Sequence, residues 1–234
     1  MTPIEVPINP AYGPVTSTYS IQAKIQALGS RKKTLFSMSG IYGVTRTGER
    51  LRWEFAIHHI KQGDQYIRAD SPLVVARCLS DPQGKIMNMD MDFPAFEKAG
   101  TITKQQKKQL SAAFNNIQNF SPHLSPKPIK TGDIFTKSPL NQLFFGESPL
   151  FKREELAGKS LTSTLVGWGE YLGRKVGVTE TNRTFQFEKS TIRVRGYGLF
   201  DPETFHCIEN NMLMEIHYRG DTVLCSTFIA AQLN

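Results

Sequence analysis

The segment FSMSGIYGVTRTGERLRWEFAIHHI, residues 36–60, contains two runs of alternating apolar and polar side chains around a short polar stretch. In each run the large apolar side chains occupy every second position, a period that is typical of a strand with one buried face. The apolar positions are Phe36, Met38, Tyr42 and Val44 in the first run, and Leu51, Trp53, Phe55 and Ile57 in the second. The segment therefore predicts a β-hairpin that turns at residues 47–49 and buries one face.

A second hairpin is predicted in LVVARCLSDPQGKIMNMDMDF, residues 73–93. Its turn is DPQG, in which Pro82 presets the backbone φ angle and Gly84 accepts a left-handed conformation. Folding about this turn places two triplets on one face, namely Val74, Ala76 and Cys78 with Met87, Met89 and Met91. We expect this methionine stripe to belong to an ordinary core, and the alternative is an adaptable binding surface.

The chain from Leu161 onward again has a strand-like pattern. The successive runs are LTSTLVGWGEYL, RKVGVTE, RTFQFEKSTIRVRGYGLF, TFHCIENNMLMEIHY and TVLCSTFIAAQL. Residues 201–204, DPET, repeat the Asp-Pro turn chemistry of the second hairpin, so we interpret them as a bend and not as a site. Residues 219–221, RGD, predict the tight turn of the last hairpin. Short turns between neighbouring strands favour antiparallel pairing.

The middle of the chain differs in pattern from both ends. Thr103 and Gln106 form a capping-box pattern at the start of a predicted helix that runs to about Asn119. Its apolar stripe consists of Leu110, Ala113, Phe114 and Ile117. Residues 136–160 contain two Ser-Pro pairs, Ser138-Pro139 and Ser148-Pro149, which predict helix starts, and Gly158 is a predicted helix stop.

These patterns predict an α+β fold of mainly antiparallel β-structure. We expect one main helix inserted between the strand-rich parts. Residues 1–14 predict an extended lead-in, and residues 15–234 predict a single β-rich domain. The alternative division has two sheet halves, residues 15–100 and 160–234, joined by a helical and irregular insert at residues 101–159.

The formal net charge is +7, and most of the excess lies in one segment. Residues 98–137 hold seven lysines and one acidic residue. We interpret these lysines mainly as a solvated helix surface, and the alternative is contact with an anionic headgroup or membrane surface. The candidates for that contact are Lys104, Lys107, Lys108, Lys127 and Lys130.

Several chemistries find little support in the sequence. The three cysteines, Cys78, Cys207 and Cys225, have no metal-binding spacing, so we expect free thiols and no disulfide framework. Asp90 and Asp92 share a strand face but form a weak calcium site without a third ligand. We therefore expect no cofactor, no metal and no catalytic residues, and the alternative is an active site assembled from residues distant in the sequence. No apolar run is long enough for a transmembrane segment.

The stretches RLRWEFAI, KTGDIF and LVGWGEYLGRKVGVTETNRTFQFE, with GYGLFDPETF, carry a resemblance to known proteins. In them the chain resembles uncharacterised bacterial cell-envelope proteins with a LolA/LppX-like curved β-sheet, including domain-of-unknown-function families. That resemblance implies a curved sheet or half-barrel with short covering helices, in which acyl chains are held between the sheet and those helices. It implies a periplasmic or envelope location if a leader has been removed, and otherwise we expect a cytoplasmic protein.

The sequence favours a non-enzymatic binding protein for an apolar or lipid-like ligand. The candidate ligand-binding residues, on dry strand faces and in a Gly- and Pro-punctuated excursion, are Trp53, Phe55, Met89, Phe144, Phe145 and Trp168. The alternative is an interaction protein with a closed core that docks a protein partner through edge strands or the basic helix. Nucleic-acid binding is less favoured, because the aromatic residues do not alternate with the lysines.

Overall fold

The computed structural model describes residues 1–3, 8–27, 33–98, 103–104, 124–125, 127–140 and 153–233. Two short helices in these ranges are α1 (Pro94–Lys98) and α2 (Arg153–Leu156). The strands are β1 (Val15–Ala27), β2 (Lys33–Thr47), β3 (Arg50–Gln62), β4 (Gln65–Arg68), β5 (Val74–Ser80), β6 (Ile86–Asp92), β7 (Ile134–Pro139), β8 (Ser160–Tyr171), β9 (Arg174–Gln186), β10 (Ser190–Phe200), β11 (Cys207–Tyr218) and β12 (Asp221–Leu233). The predicted predominance of antiparallel β-structure is confirmed.

These strands form one large open sheet. Their order is β6-β5-β3-β2-β1-β12-β11-β10-β9-β8-β7, and β4 pairs with β3 beside this path. Every pairing is antiparallel, and most join strands that are neighbours in the sequence. The exception at the centre is β1 with β12, where Ser17 pairs with Leu233. This pairing unites the two halves of the sheet.

The first predicted hairpin is confirmed as β2–β3. Val44 pairs with Trp53 and Tyr42 pairs with Phe55, so their side chains share one face as the alternation predicts. A β-bulge beside Gly40 shifts the register farther along the hairpin. The backbone geometry at the bulge favours glycine at position 40, because a Cβ there would lie 2.0 Å from the carbonyl oxygen of Ala56.

The second hairpin, β5–β6, confirms the prediction in part. Cys78 pairs with Met89 and Ala76 pairs with Met91, as the turn position requires. Met87 is a correction, because a register shift next to Ser80 removes it from the shared face and leaves it 58% exposed. The turn itself is as predicted: the Asp81 carboxylate accepts hydrogen bonds from two backbone N–H groups beyond it, and Gly84 has a φ of 84°.

The rest of the chain shows further differences from the sequence patterns. Strand β1 was not expected, and β9 continues without a break through RTFQ, which the pattern assigned to the next run. Residues 134–139 form strand β7, which includes the first Ser-Pro pair and ends at Pro139. Gly158 follows α2 with a φ of 71°, which confirms the helix stop. Apart from residues 103–104, the predicted helix of residues 103–119 lies outside the described residues.

Both faces of the sheet carry apolar clusters. Even-numbered residues of β10 point to one face, here called the core face, and odd-numbered residues point to the opposite face. The core face carries a first cluster around Trp53, Phe55 and Phe200, and a separate second cluster. The second cluster contains Leu140, Leu156, Leu161, Ile192, Val194, Met212 and Ile216. A smaller third cluster on the opposite face contains Val176, Val178 and Leu199.

The segments before β1 and before β7 link distant strands across the first cluster. The Tyr12 N–H donates to the carbonyl of Pro82 in the β5–β6 turn, and the Gly13 N–H donates to that of Thr204 after β10. Ile8 exchanges two backbone hydrogen bonds with Ile129. The two turns that contain Asp-Pro pairs are thus tied to one another through the residues that precede β1.

Candidate functional site

Two of the predicted ligand-binding residues, Trp53 and Phe55, lie in the centre of the first cluster. Each is only 2% exposed, and their rings stack with a centroid distance of 6.2 Å. The indole Nε1–H of Trp53 donates to Ser80 Oγ at 2.7 Å. Tyr42 also stacks with Phe55, with centroids 5.5 Å apart. The two side chains have almost no surface that a ligand can contact in this conformation.

The first cluster also buries His206, which no sequence pattern singled out as functional. Its ring is 1% exposed and lies 5.3 Å from the rings of both Tyr12 and Trp53. Nε2 lies 2.7 Å from the carbonyl oxygen of Gly13, and since a carbonyl only accepts, this nitrogen carries the proton. Burial lowers the pKa of His206 to about 4. The imidazole therefore acts as a neutral structural link.

The remaining predicted ligand-binding residues are placed less centrally. Met89 and Trp168 are half-buried at the margin of the first cluster. The Lys175 ammonium lies 4.9 Å from the centroid of the Trp168 ring. Phe144 and Phe145 lie outside the described residues. The structure thus brings Trp53 and Phe55 together and leaves the binding role of the whole set as a prediction.

The second cluster has an apolar border that is only half-buried. Its members are Phe185 and Phe187 near the end of β9, Met214 of β11, and Val223 and Cys225 of β12. The Lys159 ammonium lies 5.2 Å from the centroid of the Phe187 ring. Sequence reasoning missed this surface, although the alternation in RTFQF placed both phenylalanines on one face. The core face therefore offers an apolar surface with a cation beside it.

The predicted anionic-surface lysines are only partly within the described residues. Lys104, Lys127 and Lys130 are exposed. Lys107 and Lys108 lie outside the described ranges. The backbone N–H of Lys130 donates to the Asp133 carboxylate in the turn before β7. The exposure of Lys104, Lys127 and Lys130 is compatible with simple solvation and with contact to an anionic surface.

On the opposite face, two tyrosines and a glutamate form a polar cluster beside an open groove of about 410 Å³. Tyr171 and Tyr197 both donate phenolic hydrogen bonds to the carboxylate of Glu209. Glu209 is 6% exposed. The hydrogen bonds to Glu209 raise the pKa of Tyr171 and of Tyr197 above the ordinary value for tyrosine. Val176, Val178 and Leu199 supply the apolar wall of the groove.

The other candidate motifs have structural explanations. Arg219 and Gly220 have positive φ angles of 49° and 87°, as a two-residue hairpin turn of the predicted kind requires. Asp92 forms a salt bridge with Arg77, which also pairs with Glu54. Within the described ranges, no three His, Cys, Asp or Glu side chains come together as metal ligands.

The comparisons with known proteins identify no family. The sequence matches no known protein-family profile and no functionally curated protein. A similar solved structure is that of an AttH-like protein from Nitrosomonas europaea, with 8% identity and a TM-score of 0.21. The alignment covers 94% of this chain and 51% of that one, so this chain spans about half the length of that protein. Among the described helices, none is long and apolar enough to cross a membrane.

Proposed function

We propose that this protein is a non-enzymatic binding protein that holds an apolar ligand with an anionic end against the second cluster. The observation that carries the proposal is the half-buried border of that cluster, formed by Phe185, Phe187, Met214, Val223 and Cys225. Adjacent half-buried apolar side chains are typical of the wall of a ligand site. The packed rings of the first cluster then serve to hold the sheet in shape.

A curved sheet with a concave core face is part of this proposal. Strands β3 and β11 are separated by four strand spacings in the sheet order. In a flat sheet those spacings amount to about 19 Å. The ring of Trp53 in β3 nevertheless lies 5.3 Å from the ring of His206, which immediately precedes β11. The short distance favours a half-barrel, in which side chains from distant strands converge on the core face.

Two cations beside the second cluster suit the anionic end of such a ligand. Lys159 lies over Phe187, and Arg183 occupies the β9 position that pairs with Val194 of the cluster. Arg183 donates to the Thr162 hydroxyl at 2.5 Å. Neither cation forms a salt bridge with a carboxylate of the described residues, whereas Arg77, Arg174 and Arg195 do. A fatty-acid carboxylate would supply the missing negative charge.

The test is a titration with a dansylated fatty acid, whose fluorescence rises in an apolar site. We expect saturable binding by the wild-type protein, and Met214→Gln should weaken it roughly tenfold because an apolar contact is lost. Leu213→Gln is the matched control, since Leu213 is equally half-buried but points to the opposite face. Absence of saturable binding, or equal losses in the two variants, contradicts the proposal.

The second candidate function is that of an interaction protein that docks a partner strand. Strand β6 stands at one end of the sheet order, and among the described strands it has only β5 beside it. It carries Met87, which is 58% exposed. Open sheet edges pair readily with another strand. Edge pairing between two copies predicts dimers in sedimentation at micromolar concentration, which Met87→Lys should abolish. A strictly monomeric wild-type protein removes support from this form of the alternative.

A further inference from the structure

We propose that the groove beside Tyr171 and Tyr197 binds the trimethylammonium group of a small organic cation, with Glu209 as its counter-charge. The groove lies on the opposite face from the second cluster, so this site is independent of the proposed function. Its volume of about 410 Å³ falls within the usual range for small-molecule sites. Two properties of the groove, its aromatic rings and its apolar wall, carry the proposal together with the buried carboxylate of Glu209, which both phenols contact.

The carboxylate of Glu209 is buried, and no counter-ion for it is found among the described residues. It is 6% exposed, and both of its oxygens accept hydrogen bonds from phenols. No lysine, arginine or histidine of the described residues forms a salt bridge with it, although Glu215 on the same strand pairs with Arg195 at 2.7 Å. Buried charges are normally paired. A cation in the groove would complete the pair.

A second carboxylate lies on the face of the sheet that carries the groove. Glu170 is exposed, but it pairs with Lys175 of β9, so its side chain points to the core face and not into the groove. Glu180 of β9 pairs with Tyr197 of β10 and is also exposed. Glu180 and Glu209 therefore place two carboxylates on the groove side of the sheet, although the protein as a whole has a net charge of +7. The local charge favours a cation over an anion.

The aromatic rings and the apolar wall select the type of cation. Tyr197 is 39% exposed and Tyr171 is half-buried, so each ring has surface available to a ligand. Cations lying over aromatic faces are stabilised by the ring quadrupole. Val176, Val178 and Leu199 offer methyl groups and no hydrogen-bond acceptors from their side chains. A quaternary ammonium, which needs no hydrogen bonds and exposes methyl groups, therefore fits better than a primary amine.

The first experiment compares choline chloride with 3,3-dimethylbutan-1-ol, in which carbon replaces the charged nitrogen. Both are titrated into the ¹⁵N-labelled protein, and amide chemical shifts are followed by NMR. We expect saturable shifts with choline at residues of β8, β9 and β10 around the groove, and binding of the neutral alcohol at least tenfold weaker. Equal affinity for the two compounds, or no saturable shifts at the groove, overturns the proposal.

The second experiment uses variants of the groove. Glu209→Gln removes the charge, and Tyr197→Leu removes a partly exposed ring, so at least one variant should remain folded. Each should weaken choline binding about tenfold, whereas Glu215→Gln, on the same strand, should leave it unchanged. Unchanged affinity in a folded Glu209→Gln or Tyr197→Leu protein overturns the proposal.

The source of the trimethylammonium group is tested with phosphatidylcholine vesicles. Binding of choline alone identifies a free cation as the ligand. Additional binding to these vesicles, with weaker binding to phosphatidylglycerol vesicles and loss in Tyr197→Leu, identifies a lipid headgroup. Failure to bind choline overturns this site, whatever the vesicles show, and leaves fatty-acid binding at the second cluster unaffected.

Discussion

The imidazole of His206 lies against the carbonyl oxygen of Gly13, with Nε2 at 2.7 Å from that oxygen. The contact joins the segment before β1 to the turn between β10 and β11, 193 residues farther along the chain. Gly13 also donates its N–H to the carbonyl of Thr204 in the same turn. Two hydrogen bonds therefore hold the lead-in against the first cluster, and one of them depends on a titratable group.

Protonation of His206 should destabilise the fold at acidic pH. Burial lowers its pKa to about 4, against 6.5 for the unperturbed side chain. Between these pH values the unfolded chain binds a proton that the folded protein does not. The contribution of His206 to the free energy of unfolding is therefore fully present above pH 6.5 and is lost as the pH falls toward 4. The loss attributable to His206 should approach about 3 kcal/mol. Urea unfolding measured from pH 7.5 to pH 4 provides the test.

The control for this prediction is His206→Gln, because the glutamine amide can donate to Gly13 without titrating. Carboxylates titrate in the same range, so the informative quantity is the difference between wild type and variant at each pH. We expect that difference to change steeply between pH 6.5 and 4. Parallel stability profiles for the two proteins would refute the assignment.

Two glycines of β2 should respond oppositely to alanine. A Cβ on Gly40 would lie 2.0 Å from the carbonyl oxygen of Ala56, a backbone atom that cannot move aside cheaply. Gly40→Ala should therefore destabilise the protein by about 1 to 3 kcal/mol or more. A Cβ on Gly43 meets nothing closer than 4.0 Å. Gly43→Ala should be neutral or stabilising by up to about 1 kcal/mol. Chemical denaturation of both variants is the measurement, and equal effects would contradict the bulge geometry.

The local pairings could be predicted from the sequence because they depend on short-range chemistry. Tyr42 and Phe55 share a face because strand alternation and a short turn fix their register. The same reasoning gave the wrong face for Met87, because a bulge inserts one residue and reverses the face on which the neighbouring side chains lie. A bulge of this kind leaves no mark in apolar periodicity. Strand β1 did carry a signal, because the apolar residues Val15, Tyr19 and Ile21 occupy alternate positions of a run whose other residues are polar.

The long-range contacts had no comparable signal. The pairing of Ser17 with Leu233 joins residues from opposite ends of the chain, and nothing local specifies it. The Tyr171–Glu209–Tyr197 cluster joins residues of three strands. Single-strand patterns show which residues share a face but do not show which strands lie side by side. The candidate site on the opposite face therefore required the sheet order.

The cysteines should differ in reactivity while all remaining reduced. All three are free thiols in the structure, as the sequence predicted. Cys78 is buried, and burial raises its pKa to about 12, so its thiolate is scarce at neutral pH. Iodoacetamide at pH 8 should leave Cys78 unmodified in the folded protein. After denaturation without reductant, mass spectrometry should find three carbamidomethyl groups. A persistent deficit of two would indicate a disulfide and contradict the prediction.

The buried hydrogen bond between Trp53 and Ser80 should contribute measurably to stability. Trp53 is 2% exposed and Ser80 is fully buried, so an indole N–H without its partner cannot reach water. Ser80→Ala should therefore cost about 1 to 3 kcal/mol, the usual penalty for an unsatisfied buried donor.

Trp53→Phe removes the donor and leaves a cavity, with its own cost. A double-mutant cycle measured by urea denaturation separates these effects. We expect Ser80→Ala to cost much less in the Trp53→Phe background, because no donor remains to be left unpaired. Strict additivity of the two substitutions would show that the contact contributes nothing.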